Sequence, residues 1–289
     1  MKSWVIFKIL KTTPNPTIIF SPHLTWRDIH HLAVWTADPE PIFTSTQQDP
    51  SLATTDQWRI NSIGLLYHTK LGFGVMNALR MAQEARHWAR VPELHTCHIR
   101  YAGRPYQVPE EGAGVVSLKF DGCDGHPQKE VLYVERVQLL ADVEADFGGH
   151  LVLWLESPQG TRSRLIGYRP KDLSNTSFPA QWPFTTVHFW GEQPAGRWRL
   201  HVRNANPWRN VQSRIELSNL SLKVWGTREE PEHYRRLREE GLGLEEDGVG
   251  EEGGDETRVD LLQAIDQGLR PLQGGGGTLE DEGDRYPPR

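Results

Sequence analysis

The chain has 289 residues, of which 37% are hydrophobic and eleven are tryptophan, enough to build one large or two ordinary domain cores. Residues 1–227 carry 20 acidic and 24 basic side chains, and residues 228–289 carry 18 acidic and 8 basic ones, so the net charge of −6 divides into +4 and −10. The small positive charge of the first part does not favour nucleic-acid binding, and no segment approaches the ~18 apolar residues of a membrane-spanning helix.

Residues 1–23 form an atypical N-terminal segment. Its apolar run from Trp4 is interrupted by Lys8 and Lys11, so it is not a convincing signal peptide.

Two amphipathic helices are predicted next. In the first, Thr25 and Asp28 have the spacing of a capping box, Pro39 and Pro41 end the helix, and five residues share its apolar face: Trp26, Ile29, Leu32, Ala33 and Thr36. The second helix is expected to follow Gly72-Phe73-Gly74 and to continue to Pro92, with its apolar residues at Val75, Ala78, Leu79, Ala82 and Ala85. We interpret these glycines as a site of close backbone packing, not of phosphate binding, because no G-x-G-x-x-G or Walker pattern follows.

Beyond Pro92 the hydrophobic pattern alternates with the period of two that is typical of strands. Apolar residues alternate with polar ones in three segments, at Val137, Leu139, Ala141 and Val143, at Leu151, Leu153 and Leu155, and at Trp198, Leu200 and Val202. The phase slips near Ser218-Asn219, as at a bulge or a tight turn. Short strands without intervening helices predict a mainly β fold, an antiparallel β-sandwich or jelly-roll.

Residues 228–289 hold none of the tryptophans and are rich in acidic residues and glycine. A segment of this composition buries too little apolar surface to offset its ordering entropy, so an acidic, disordered tail is predicted.

Two groups of motifs resemble the kexin/furin-type proprotein convertases, which are subtilisin-like serine endopeptidases. Leu24-Thr25-Trp26-Arg27-Asp28-Ile29-His30-His31-Leu32 and residues 64–78 are similar to the end of their catalytic domain. Residues 135–138, 155–163, 169–172, 182–192 and 196–198 are similar to their P domain, also called the Homo B domain, a jelly-roll that packs on the catalytic domain and stabilises it. The resemblance divides the chain into residues 1–23, a catalytic-domain remnant at 24–92, a P domain at 93–227 and the tail at 228–289.

The same resemblance predicts that this chain is not itself an enzyme. In the family a Gly-Thr-Ser nucleophile motif lies shortly before the Leu-Thr-Trp-Arg-Asp segment, and here residues 1–20 hold no such motif. The Asp, His and Asn of a subtilisin-type site also lie upstream of the matched part. We therefore expect no catalytic residue, no cofactor, and calcium only in the missing catalytic domain.

Three hypotheses about function follow from the resemblance. The first is a truncated, non-catalytic chain whose P domain stabilises or contacts a subtilisin-like catalytic domain. The second is a fragment of an active calcium-dependent endopeptidase that processes proproteins after paired basic residues. The third is a standalone P-domain module that acts on a convertase in trans. The two helices would have few partners here, because most strands of the parallel sheet on which they pack in the family are missing.

The resemblance also implies a disulfide between Cys97 and Cys123, which the sequence alone leaves open. Together with two N-glycosylation sequons, at Asn175 and Asn219, this predicts a protein of the secretory pathway.

Other polar clusters are interpreted as ordinary surface or half-buried residues. His30 and His31 are adjacent on a helix, and His95, Cys97 and His98 have no second ligand pair, so no metal site is predicted. The basic residues Arg197, Arg199, His201 and Arg203 are interpreted as the solvated face of a strand. Phe147-Gly148-Gly149-His150 stands where many family members have Arg-Gly-Asp, which puts any role of that tripeptide in doubt.

Overall fold

The computed structural model describes residues 23–42, 58–110, 113–173, 176–206 and 213–236. The atypical segment before His23, the sequon at Asn175 and the tail from residue 237 onward therefore lie outside the described residues. Among the described residues, α1 (Trp26–Trp35) and α2 (Ala78–Glu84) are helices, and residues 232–236 are also helical. The strands of the first part are β1 (Ala37–Asp38), β2 (Arg59–Ile60), β3 (Leu66–Tyr67) and β4 (Val75–Met76). Those of the second part are β5 (His95–Arg100), β6 (Tyr106–Gln107), β7 (Ala113–Phe120), β8 (Tyr133–Ala145), β9 (Leu151–Glu156), β10 (Arg162–Ile166), β11 (Thr176–Ser177), β12 (Trp182–Thr186), β13 (Gly196–Asn204) and β14 (Ile215–Thr227).

The second part of the chain is an antiparallel β-sandwich, as predicted. One sheet has the strand order β10-β9-β13-β7, and the other has the order β11-β8-β14-β5, with β12 also paired to β8 and β6 to β14. The alternating residues predicted to face inward are buried between the two sheets, Leu139, Leu153 and Trp198 among them. The alternation of apolar and polar residues therefore predicts the core of the sandwich correctly.

The predicted phase slip in β14 is a bulge. The pairing of β14 with β8 shifts between Ser218 and Ser221, and Asn219 adopts a positive φ of 48°. Asparagine tolerates this left-handed conformation better than most residues, so the extra residue is accommodated there and Leu220, Leu222 and Val224 return to the core.

The predicted disulfide between Cys97 and Cys123 is present, with 5.7 Å between the two Cα atoms. Cys97 lies on β5, at the edge of one sheet, and Cys123 lies in the turn that follows β7, at the edge of the other. The bond therefore joins the two sheets along the open side of the sandwich.

Helix α1 has the predicted capping box, but its buried face matches the predicted one only in part. Leu32 and Thr36 are buried, and Ile29 and Ala33 pack partly against the neighbouring core. Thr25 and Asp28 exchange side-chain-to-backbone hydrogen bonds, while Trp26 is 56% exposed. The buried residues are Asp28, His31, Leu32 and Trp35. The buried face is partly polar because Asp28 and His31 find hydrogen-bond partners from distant parts of the chain, which periodicity cannot reveal.

The predicted start and end of the second helix are wrong. Val75–Met76 forms β4, which pairs with β1, and α2 begins only after the N-cap residue Asn77 and ends at Glu84, well before Pro92. The interpretation of the glycines as close backbone packing fits the structure at Gly74, where φ is +124° and an added Cβ would lie 2.6 Å from the backbone of Asp38.

The two helices are not left without partners, contrary to the expectation from the sequence. Leu32 and Trp35 of α1 pack against Met81 and Trp88, while Leu65 packs with Trp190 and Tyr234. No helix within the described parts of the chain has the length and apolar character needed to cross a membrane.

Candidate functional site

The described parts of residues 24–92, here called the α1–α2 segment, meet the sandwich at a surface that we call the junction. One half of the junction is built around Glu135, near the start of β8. Arg27 Nη2 donates to Glu135 Oε1 and Arg27 Nε to Oε2, and Arg27 Nη1 also donates to the backbone oxygen of Pro92 at 2.7 Å. His31, one turn further along α1, places Nε2 3.1 Å from Glu135 Oε1. Because Arg27 and His31 are four residues apart on a helix, both reach the same carboxylate.

The pKa of Glu135 reflects this arrangement. Burial by itself would raise it, but the contact with His31 and the hydrogen bonds from Arg27 outweigh burial and lower the pKa to about 2. The carboxylate is therefore charged throughout the physiological pH range, and removing one partner would leave a buried charge uncompensated.

His233 extends this network from the far end of the described chain. Its Nε2 lies 3.1 Å from His31 Nδ1, and its ring stacks on Trp88 with 4.4 Å between ring centroids. Burial, and to a lesser extent the charges of His31 and Arg236, lower the pKa of His233 to about 2. His233 is thus neutral at any physiological pH, and its partner Tyr234, packed against Trp190, has a pKa raised well above the usual value by burial.

Asp28 fixes the other side of α1. Its Oδ2 accepts from the backbone nitrogen and the hydroxyl of Thr25, both at 2.6 Å, and its Oδ1 accepts from Trp88 Nε1 at 3.2 Å and from the nitrogen of Val91 at 2.9 Å. Burial opposes ionisation, but these bonds together lower the pKa of Asp28. One buried carboxylate thereby holds both the helix N-terminus and the chain that leads into β5.

The other half of the junction is the loop of residues 61–65, held by Asn61. Its Nδ2 donates to the backbone oxygens of His188 at 3.2 Å and Trp190 at 2.9 Å, and its Oδ1 accepts from the nitrogen of Leu65 at 2.9 Å. The side chain of Asn61 therefore forms hydrogen bonds with the backbone of both the loop and the sandwich. The backbone nitrogen of Ser62 continues the contact by donating to Glu192 Oε1 at 3.2 Å.

Tyr67 and His188 close this half of the junction. Tyr67 donates to the backbone oxygen of Arg162 at 2.7 Å and stacks on the ring of His188 with a centroid distance of 4.6 Å. Burial raises the pKa of Tyr67 to about 12 and, aided by the charges of His68 and Arg59, lowers that of His188 to about 4. His188 Nδ1 lies 2.8 Å from Ser163 Oγ, but that serine is fully buried, so the pair is a structural contact.

Gly191 is required where the loop meets the sandwich. Its φ is +79°, and an added Cβ would lie 2.3 Å from Ile63 Cδ1. A side chain here would be both strained and in collision with the loop.

The glycosylation prediction remains a prediction. Asn219 is exposed at the bulge, and its Nδ2 donates to Asp142 Oδ2 at 2.6 Å.

The adjacent residues His30 and His31 have separate surroundings. His31 is in the junction, whereas the ring of His30 packs edge-on against Trp26. Within the described residues, potential metal-ligating atoms cluster at Cys97, Asp121 and Cys123. The sulfur atoms of the two cysteines in this cluster are joined in the disulfide.

The sequence Phe147-Gly148-Gly149-His150 is not a protruding loop. Gly148–His150 forms a buried 3-10 turn, and Arg169 donates to the backbone oxygen of Gly148 at 2.8 Å. An added Cβ at Gly149 would lie 2.0 Å from the backbone oxygen of Arg169. This position therefore packs against the sandwich.

Sequence reasoning did not assign a role to Glu135, Asn61 or His233. Glu135 lies within one of the motifs that resemble the P domain. His233 and Tyr234 lie in the residues predicted to form the disordered tail, but the structure buries these two residues in the junction. The aromatic Tyr234 after Pro231, in an otherwise polar stretch, was the available signal.

Residues 134–224 match the family profile described as the proprotein convertase P-domain. This chain contains a proprotein convertase P domain. It is 35% identical over 224 residues to neuroendocrine convertase 2 of Caenorhabditis elegans, covering 73% of this chain and 34% of that protein. It is 33% identical over 211 residues to proprotein convertase subtilisin/kexin type 6 of Homo sapiens, covering 73% of this chain and 20% of that protein. The chain thus spans about a third or less of these relatives.

Among solved structures, the crystal structure of a serine protease of Aeromonas sobria is similar to this chain. The TM-score is 0.54 at 18% sequence identity, with 73% of this chain and 42% of the other covered. This likeness concerns the fold, and it extends beyond the residues that match the P-domain profile.

Proposed function

We propose that the P domain of this chain binds and stabilises the C-terminal part of a subtilisin-like catalytic domain, represented by residues 24–92, and that the chain is non-catalytic. The observation that carries the proposal is the buried contact of Glu135 with Arg27 and His31. A charged group buried in this way is tolerated only with both partners in place, so α1 and the sandwich stabilise each other.

Secretory-pathway localisation is part of the proposal. The disulfide between Cys97 and Cys123 supports it, because such bonds persist in oxidising compartments.

A second candidate is favoured by the coverage of the relatives. The chain spans 34% of neuroendocrine convertase 2 and 20% of the type 6 convertase, and the names of both describe proteases. In this hypothesis the sequence is a fragment of an active calcium-dependent endopeptidase that cleaves after paired basic residues, and the junction performs the same stabilising role within one protein. In a third hypothesis the P domain acts on a convertase in trans.

Hydrogen exchange on the full chain tests the stabilising role. Glu135→Ala removes the shared carboxylate, and Glu144→Ala is the matched control, since Glu144 is exposed on the same strand. Breaking a buried ion pair typically costs ~3–5 kcal/mol, so we expect amides of α1 to exchange at least about 100-fold faster in Glu135→Ala. The amides of β13 and those of the control should be unchanged. Equal protection of α1 in both variants would refute the proposal.

A further inference from the structure

The outward side of the four-stranded sheet is strongly basic. Along β7, β9, β10 and β13 the outward positions hold one acidic residue, Glu156, and six basic ones: Lys119, Arg162, Arg164, Arg197, Arg199 and Arg203. These outward positions, with His201 and Trp154 among them, are called the basic face. With His201 neutral its net charge is +5.

Glu156 is fully engaged by the basic face. Its Oε1 lies 2.5 Å from Arg199 Nη1, and its Oε2 accepts from Arg162 Nε at 2.8 Å and lies 2.9 Å from His201 Nε2. Burial opposes ionisation of Glu156, but these three partners together lower its pKa. A single carboxylate thus neutralises one unit of charge and leaves the rest of the face positive.

The remaining like charges lie close together. Lys119 and Arg197 are directly opposite each other in the pairing of β7 with β13, and both are exposed. Like charges in directly opposed positions are destabilising. An anionic group placed over the two strands would remove this repulsion.

The opposite side of the sandwich differs. The outward positions of β5, β8 and β14 hold equal numbers of basic and acidic residues, namely Arg100, Arg136, Lys223, Asp142, Glu144 and Glu216. The positive charge is therefore confined to one sheet and is not a general property of the surface.

The same chain carries the complementary charge. Between Glu239 and Glu256 there are nine acidic residues and no basic one. This segment lies outside the described residues, which end at Arg236. The twenty residues from 237 to 256 span up to about 70 Å when extended, so the acidic residues towards the end of this segment can reach any side of a domain of this size.

We propose that the acidic segment of residues 239–256 binds the basic face of the sandwich in the same molecule. The segment neutralises the face through charge-assisted contacts with the exposed arginines and Lys119. The face is thereby occupied by the chain itself, and other polyanions have to compete with the tail for it.

Zero-length cross-linking of the full chain tests the proposal. A water-soluble carbodiimide joins a lysine amine directly to a neighbouring carboxylate, and mass spectrometry after digestion identifies the pair. We expect cross-links from the acidic segment to Lys119, and not to Lys129 in its exposed turn or Lys223 on the opposite sheet. Their yield should fall about tenfold in 0.5 M NaCl, where screening is strong.

Two charge-reversal variants provide a matched comparison. Arg197→Glu changes the basic face beside Lys119 and should lower the yield about fivefold, whereas Arg86→Glu makes the same change at an exposed site off the face and should leave it within twofold. Cross-links spread evenly over the three lysines, or unaffected by salt, would overturn the proposal.

A heparin octasaccharide distinguishes the tail from an external polyanion as the occupant. The neutralised chain is the full chain with its nine acidic residues at 239–256 changed to Gln or Asn. The oligosaccharide should bind to the neutralised chain at least about fivefold more tightly than to the original chain. Adding Arg197→Glu to the neutralised chain should remove this gain in affinity. Equal affinity in the original and neutralised chains would show that the tail does not occupy the face.

Discussion

Acidification should destabilise this protein through two buried histidines, His188 and His233. Their pKa values are lowered from 6.5 to about 4 and about 2, mainly because burial disfavours the charged ring. In the unfolded chain both rings bind a proton below pH 6.5, whereas in the folded protein they stay neutral. The stability that they contribute is therefore present above pH 6.5 and is lost as the pH falls towards 4 for His188 and towards 2 for His233.

The size of the effect follows from these pKa values. Between pH 7.4 and pH 5.5 the folded state loses on the order of 1 kcal/mol of stability for each histidine, or roughly 2–3 kcal/mol in total. Glu135 adds nothing in this window, because its pKa of about 2 lies below an ordinary carboxyl value of 4.5 and its contribution is lost only below pH 4.5. Burial also lowers the pKa of His150, which acts in the same direction.

Urea unfolding followed by tryptophan fluorescence measures this loss. Trp88 stacks on His233, so the junction itself is reported by the signal. His233→Gln should remove about half of the pH dependence, and adding His188→Gln should remove most of it. The exposed His87→Gln is the control and should retain the full difference. If the free energy of unfolding is equal at the two pH values, or if the double variant keeps the whole difference, the reasoning is refuted.

Three other outcomes are expected. The full chain should not hydrolyse a fluorogenic Arg-x-Lys-Arg peptide with or without calcium, and calcium-dependent turnover by protein free of contaminating proteases would contradict this. The disulfide between Cys97 and Cys123, with a sequence separation of 26, should stabilise the secreted protein by about 3.5 kcal/mol. Alkylation followed by intact-mass measurement should modify neither cysteine before reduction and both cysteines after it. Gly191→Ala should destabilise the chain by ~2 kcal/mol more than Gly160→Ala in thermal unfolding, because both glycines have positive φ but only Gly191 is packed against Ile63. Equal losses of stability in the two variants would mean that the loop of residues 61–65 moves aside.

The sandwich was predictable because its information is local. Inward residues such as Leu153 and Trp198 recur every second position, and the slip near Asn219 is visible in the same pattern. The P-domain motifs added the jelly-roll fold and the disulfide partner.

The junction was not predictable in the same way. Arg27 and Glu135 are 108 residues apart, and Asn61 is 127 residues from His188, so no periodicity connects them. Long-range contacts also bury Asp28, which accepts from Trp88, and His31, which faces His233, whereas Trp26 of the predicted face is exposed. Likewise, Val75 fits the helical pattern but lies in β4, which pairs with β1, and local propensity does not predict this pairing.

The contact between His31 and His233 joins positions 202 residues apart and therefore affects the order of folding. Closing so long a loop in an unfolded chain costs roughly 4.7 kcal/mol of chain entropy, so this contact cannot begin the process. Once the strands have assembled, the same positions are already held near each other and the cost has largely been met. During synthesis at ~5–20 residues per second, His31 is made roughly 10–40 seconds before His233. For that interval the helix has not yet met its final partner, and its docking is a late step of folding.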